Sequence, residues 1–496
     1  MRRQIWLAAA GAAALAMVCE SGVPGLVDPD GFSHLAYARR LVQSGFALRG
    51  HPFLPYTILG QSDVDLWLGF HWLLVPFTAL SDLWGARLAA VCIAACASAG
   101  LAFALFRAGR VDGAWAFALA PWAISLVFAV RGSNARPAHL TIPLLLVELL
   151  AGCGSLHPGW ALGAAFAHGL LHLSSPLSPV FAVLGLAGAW IAREGGSPRA
   201  VLWAVGGLAL ALVLRPDRDL YTEFAVRHNL AALGWFGEHL PHAGGELLFG
   251  GPTLFLRQTW PGLALVGLSL WLSRRDPWRS PPRVAALLGA AAAAALCIVN
   301  QRFVDYCIPF LALVAGVFWP ARPLQRWAAA AFAVVFAALF ALHVPGVWRQ
   351  GRAYIDPPET FQRIAAAVRA RVPPGELIFT DDPFVTEVLL SVLPEYRYIV
   401  AYDPALLWIA SPERFWQWHH AAVEGIDCSS PRCPPQPPSG AAVARALRNF
   451  GTRWAVTSMP RGRLSMQEVM ALDDARFTFV ALAPGTAYGL YFFQLR

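Results

Sequence analysis

Residues 86–106 read ARLAAVCIAACASAGLAFALF, with Arg87 as the single charge. A helix of that length crosses a hydrocarbon core of about 30 Å. Comparable apolar stretches recur from Ile5 to about His343, and the whole chain is 57% hydrophobic and 14% charged. Soluble domains carry about 25% charged residues, so no ordinary water-soluble core accounts for this composition. The chain reads as a mainly α, polytopic membrane protein.

Membrane helices are predicted at 5–23, 86–106, 114–130, 138–152, 159–174, 177–192, 199–214, 253–272, 283–299, 303–319 and 327–344, roughly eleven in all. The formal charge of +8 comes from arginine alone among Lys and Arg. Many of these arginines lie in short loops, where they select topology rather than mark a nucleic-acid surface. Arg2/Arg3, Arg107/Arg110, Arg193/Arg199, the cluster Arg274, Arg275, Arg279 and Arg283, and Arg322/Arg326 fall on the cytoplasmic side by that rule. The expected location is a bacterial inner membrane, with the C-terminus on the periplasmic side. The basic start Met1-Arg2-Arg3 reads as a signal-anchor helix, the alternative being a secretory signal cleaved near Ala14-Leu15-Ala16. Leu66–Leu80 is apolar enough to span, but a helix there would invert every later loop. It is therefore read as a juxtamembrane or re-entrant helix.

Two domains follow: a membrane domain over 1–344 with large outer loops at 24–85 and 215–252, and an extracytoplasmic α/β domain over 345–496. In the latter, Phe361–Val372 and Ala441–Phe450 are amphipathic helices, and Asp381-Asp382-Pro383 and Ser411-Pro412-Glu413 are helix starts. Glu376–Thr380, Arg397–Ala401, Arg453–Ser458, Phe477–Leu482 and Tyr488–Gln494 read as strands. The alternation predicts a mostly parallel sheet covered by helices. Phe415, Trp416 and Trp418 on the helix after Ser411 read as core more readily than as a sugar platform. Cys428 and Cys433 flank Ser-Ser-Pro-Arg in a proline-rich loop. In an oxidising compartment they are expected to pair, the alternative being two free thiols. The other six cysteines sit in or beside apolar segments and have no metal-site spacing.

The first outer loop opens with Asp28-Pro29-Asp30-Gly31-Phe32-Ser33-His34-Leu35. A helix from Asp30 puts Asp30, His34 and Tyr37 on one face, carboxylate beside imidazole at the membrane surface. The plainer local reading is that Asp30 caps the helix and Asp28 makes a turn before Pro29. Asp63-Val64-Asp65 and His71-Trp72 add acidic residues and an imidazole further along the loop. Oxygen-rich clusters of this kind suit Mg²⁺ or Mn²⁺.

An acidic residue followed by Gly and an aromatic just after the first membrane helix, with His-Trp later in the same loop, resembles the GT-C glycosyltransferases. The oligosaccharyltransferase catalytic subunits are the nearest look. By that resemblance the fold is a many-helix bundle with its active site at the outer face, Asp30 is the catalytic acidic position, Asp28 is its neighbour, and the donor is a lipid-phosphate-linked sugar. Arg131-Gly132-Ser133-Asn134-Ala135-Arg136-Pro137-Ala138-His139 resembles the family's next outer turn. There the family's acidic metal ligands are replaced by Arg136 and His139, which leaves the metal-independent branch open. His139 also reads as a helix-start histidine without a ligand. The resemblance places an arginine for the donor phosphate near Asn300-Gln301-Arg302-Phe303. Arg302 suits that role through its bidentate fork, the alternative being an interfacial arginine.

These residues imply a membrane glycosyltransferase moving a sugar from a polyprenyl-phosphate carrier to an acceptor at the outer face of the inner membrane. Asp30 acts on the acceptor hydroxyl as general base or positions it, with Asp28 beside it. Arg302, Arg131, Arg136 and His34 bind substrate or phosphate, and Asp28, Asp30 and His139 are the metal candidates. Its partners are the lipid-linked donor and membrane lipids, with no nucleic acid. The rival readings are a non-catalytic scaffold that keeps the fold, or a transporter. For a transporter, only Glu148, His168 and His172 lie inside helices, and no repeat is present.

Overall fold

The computed structural model describes residues 1–110, 112–230, 251–276, 279–320, 325–354, 356–458, 466–485 and 489–496. Part of the second outer loop (231–250), Arg322 and Tyr488 lie outside these residues.

Every predicted membrane segment coincides with helix. By length and composition, Arg2–Ser21, Asp82–Arg107, Pro281–Val299, Gln301–Phe318 and a run beginning at Ala331 suffice to cross a membrane. The helices Pro137–Gly152, Gly159–Leu171, Leu177–Ile191 and Pro198–Leu214 are shorter, at 13 to 17 residues. One expectation is corrected. The segment 114–130 is two helices, Ala114–Ile124 and Leu126–Gly132, bent by 105°. Ser125 breaks the run by leaving helical geometry and accepting the Phe128 amide on its side chain, a capping interaction that starts a new helix.

Short helices pack closely because their crossings use residues without bulk. A Cβ on Gly152 would lie 2.1 Å from the Ala182 carbonyl oxygen, and one on Gly185 would lie 2.1 Å from that of Leu149. The loops gather at two ends. Arg107 reaches Ser155 O, Arg110 reaches Trp319 O, and Ser197 N reaches Gly152 O, so the loops bearing Arg107/Arg110 and Arg193/Arg199 lie at one end.

At the other end the first outer loop forms the helix Asp30–Gln43, then Leu68–Leu74 running into a 3-10 turn, Val75–Ala79. Twelve residues of helix extend about 18 Å, short of a full crossing. The helix Gln325–Tyr354 runs through the expected boundary at 344/345, and Pro358–Arg369 opens the sheet-bearing part.

Strands β1 (Leu377–Thr380), β2 (Arg397–Tyr398), β3 (Trp454–Ser458), β4 (Phe477–Ala483) and β5 (Leu490–Leu495) lie in the order β2-β1-β3-β5-β4. β1 pairs with β2 and β3 in parallel, whereas β5 is antiparallel to both β3 and β4. The sheet is thus mixed rather than mostly parallel. The short β4–β5 connection admits only an antiparallel pairing, since a parallel one needs a long crossover. Asp382 and Ser411 cap their helices through side-chain oxygens, as the sequence indicates. Phe415, Trp416 and Trp418 are buried, and Trp418 donates to Thr380 O at 2.9 Å, so they are core. Cys428 and Cys433 are joined by a disulfide.

The sheet-bearing part rests on the first outer loop. Phe32, Leu35, Phe53 and Phe70 share one apolar core with Phe361, Leu389, Tyr398 and Phe492. Tyr398 N donates to Phe53 O at 2.8 Å, Arg40 to Pro394 O at 2.6 Å, and Tyr56 to Phe450 O at 2.6 Å.

Candidate functional site

Pro29 occupies the cap position of the Asp30–Gln43 helix, and the helix has no side-chain cap. Asp28 Oδ1 instead accepts the Asp30 amide at 3.1 Å, an Asx-type turn. The carboxylate of Asp30 is therefore not consumed by capping. It lies 2.8 Å from a terminal nitrogen of Arg136, and Asp28 Oδ2 is also 2.8 Å from that guanidinium. Arg136 sits just before Pro137, which is held at the first turn of its helix. Residues from two outer turns thus meet in one charged edge.

A third carboxyl closes that edge. Glu387, on the helix Pro383–Val392, is fully buried and faces Asp30 and Asp28 with Arg136 nearby. This helix packs on Asp30–Gln43. Burial first, then the repulsion of Asp30 and Asp28, pushes the Glu387 pKa well above its ordinary value, with Arg136 opposing. Glu387 was not among the residues picked from the sequence. Its signal was a lone acidic residue in the otherwise uncharged PFVTEVLLSV.

The sign of the linkage follows. Unfolded, Glu387 ionises near 4.5; folded, it keeps its proton well above that. Stability is complete below about 4.5 and falls, by up to ~1.4 kcal/mol per pH unit, until the folded pKa is passed. Glu387→Gln, already neutral, should match the wild type in thermal unfolding at pH 4 and exceed it at pH 7. A lower midpoint at pH 7 would contradict the assigned proton.

The other predicted residues are distributed as follows. His34 is buried, with Nδ1 3.0 Å from His71 Nε2. Arg131 is turned by the bent helix pair onto Asp305, its Nε 2.8 Å from both carboxylate oxygens. That ion pair is buried. His139 packs edge-on against Phe128, ring centroids 5.2 Å apart, and neither ring nitrogen has a hydrogen bond among the described residues. Arg302 pairs with Asp403 at 3.6 Å. The adjacent Tyr402 lies 5.7 Å from the His34 ring, so one loop joins the Arg302 and His34 sides of the site.

Asp28, Asp30 and His139 do not converge as a donor set among the described residues. Arg136 already supplies a cation to both carboxylates at 2.8 Å. The residues present do not fit a divalent ion on that edge, and no step of the chemistry below is routed through one.

No protein-family model and no curated protein matches this chain. Solved structures do. ArnT from Cupriavidus metallidurans bound to undecaprenyl phosphate is similar over 98% of this chain and 97% of its own, at 17% identity and a TM-score of 0.55. The archaeal oligosaccharyltransferase AglB from Archaeoglobus fulgidus, in complex with an inhibitory peptide and a dolichol-phosphate, is similar over 91% of this chain and 69% of its own, at 12% identity and a TM-score of 0.57. The arabinofuranosyltransferase AftD from Mycobacteria is similar over all of this chain and 40% of its own, at 16% identity and a TM-score of 0.55. Helix order, outer loop and sheet-bearing C-terminal part together give this chain the fold of the GT-C membrane glycosyltransferases.

Proposed function

We propose that the protein transfers a sugar from a polyprenyl-phosphate carrier to an acceptor hydroxyl at the outer face of a bacterial inner membrane. The observation that carries this reading is the charged edge of Asp28, Asp30 and Arg136, joined by Glu387 where the first outer loop meets the C-terminal part. The complexes of similarly folded proteins with undecaprenyl phosphate and dolichol-phosphate support the donor class.

In this mechanism Asp30 accepts a hydrogen bond from the attacking hydroxyl and aims it at the sugar's anomeric carbon. Arg136 holds the Asp30 carboxylate in place at 2.8 Å, so Asp30 acts by positioning the hydroxyl. Arg302, part-exposed on the far side of the Tyr402-Asp403 loop, meets the leaving phosphate. Attack from the side opposite the phosphate inverts the anomeric centre.

The test of donor class needs no knowledge of the sugar. Protein in lipid nanodiscs should bind undecaprenyl phosphate saturably, bind undecaprenol of equal length at least about 10-fold more weakly, and lose most of that preference in Arg302→Gln. Equal affinity for phosphate and alcohol would remove the reading.

A further inference from the structure

Behind the charged edge runs a second polar chain. His34 Nδ1 is 3.0 Å from His71 Nε2, and His71 Nδ1 is 2.9 Å from Asp65 Oδ2. All three side chains are buried. Asp65 is fixed from every side. Its Oδ1 accepts the Trp67 amide at 3.0 Å, and its own amide donates to Asp217 Oδ2 at 3.1 Å. Arg215 grips Asp217 at 2.9 and 3.0 Å and also reaches the Asp65 carbonyl.

This geometry dictates tautomers. Burial alone would raise the Asp65 pKa, but His71, His51 and the Trp67 amide together outweigh it, so Asp65 is held below its ordinary range. An ionised Asp65 can only accept, so His71 carries its proton on Nδ1. Where His71 carries that one proton, it accepts on Nε2 and the His34 proton sits on Nδ1. That ordering puts the His34 lone pair on Nε2. Burial first, then His71, Arg136, His51 and His172, lowers the His34 pKa well below its ordinary value. The ring is therefore neutral near pH 7.

A second observation lies at the same ring. Tyr402 has φ of 62°, a left-handed backbone that a bulky residue seldom adopts. Its hydroxyl is buried beside the Ser33 side chain. Trp67, Phe70 and Tyr402 surround His34 at centroid distances of 5.0, 5.1 and 5.7 Å. Strain of this kind persists where the surrounding structure over-determines it, and it collects at ligand sites.

We propose that His34 Nε2 takes the proton of the acceptor hydroxyl during sugar transfer, with His71 and Asp65 as positioning residues that set its tautomer. This rests on the transferase reading above. The acceptor hydroxyl docks on Asp30 and then turns its O–H to His34; that bond breaks and its proton goes to Nε2, while the oxygen's electron pair forms the new bond to the anomeric carbon. The bond from that carbon to the phosphate oxygen breaks, and its pair leaves on the polyprenyl phosphate. Asp65 takes no proton; its charge stabilises the transient imidazolium across two rings. Solvent then removes the proton from a site whose burial disfavours it.

The experiment uses the full-length protein in nanodiscs with a panel of undecaprenyl-phosphate-linked hexoses and pentoses, following release of undecaprenyl phosphate from the sugar that the wild type consumes fastest. His34→Ala should lose on the order of 100-fold or more in kcat with little change in KM, and added imidazole should restore activity in proportion to its neutral fraction. Asp65→Asn is nearly isosteric and keeps the fold. Its amide donates to His71 Nδ1, reverses both tautomers and leaves a proton on His34 Nε2, so kcat should fall comparably. Asp65→Asn decides the matter if His34→Ala does not fold. Full activity in either variant, or a His34→Ala loss that imidazole does not move, overturns the assignment of His34. A wild type that consumes no sugar in the panel overturns the transferase reading itself.

Discussion

Asp30→Asn should reduce sugar transfer on the order of 100-fold or more while leaving the protein folded and inserted. The amide preserves the side chain's size. Capping cannot explain a loss, because the helix beginning at Asp30 has no side-chain cap and the Asp30 amide is satisfied by Asp28. What changes is the charge. Arg136 bridges Asp28 and Asp30 at 2.8 Å each, and with Asn it keeps one carboxylate and loses the other. A neutral amide is also a weaker acceptor for the attacking hydroxyl than a carboxylate. Asp28→Asn should cost less activity, because Asp28 touches Arg136 and the Asp30 amide rather than the hydroxyl. The measurement is release of undecaprenyl phosphate by protein of equal expression and equal thermal midpoint. An Asn variant at position 30 with wild-type turnover would end the assignment and favour a scaffold that keeps the fold.

Arg136→Leu should show the largest loss of stability. The guanidinium is buried against Asp28 and Asp30, and Glu387 is buried beside them. Removing the cation leaves two carboxylates facing each other and a third carboxyl, without the guanidinium that offsets their desolvation. Breaking a buried pair costs about 3–5 kcal/mol, and the partial exposure of both aspartates places this case near ~3 kcal/mol. The seam between the first outer loop and the C-terminal part should open first. Limited proteolysis of the nanodisc-embedded variant is therefore expected to cut near residues 381–403 before the membrane helices unfold. The double variant Arg136→Leu with Glu387→Leu should recover part of the loss, because one buried acid goes with the cation. Unchanged protease resistance in the single variant would show that the seam is held by its apolar contacts alone.

How much of this was legible in the sequence differs by residue. Asp30 stood out because a helix from it shares a face with His34 and because the loop resembles the GT-C enzymes, with Asp28 as its neighbour, and the structure joins both to Arg136. Arg131 was picked by resemblance alone, yet it is engaged by Asp305, whose acidic character is hidden at the start of an apolar helix. His34 was placed on the right face of its helix. Its partner His71 and the acid behind it, Asp65, were visible as residues but not as a chain, because hydrogen-bond order depends on how a loop of nearly forty residues folds back. Glu387 and Tyr402 had no local mark that tied them to Asp30.

The sequence by itself determined the membrane class, the position of each apolar helix, the caps at Asp382 and Ser411 and the core role of Trp416 and Trp418. All of these follow from hydropathy, periodicity or hydrogen bonds within a few residues. Only the tertiary structure decided the break at Ser125, the antiparallel half of the sheet and the meeting of Asp30 with Glu387. It alone also set the order Asp65, His71, His34. These depend on packing between segments far apart in the chain, as when Arg40 bonds Pro394 across 354 residues. No local pattern encodes such a contact, because its energy exists only once both surfaces have formed.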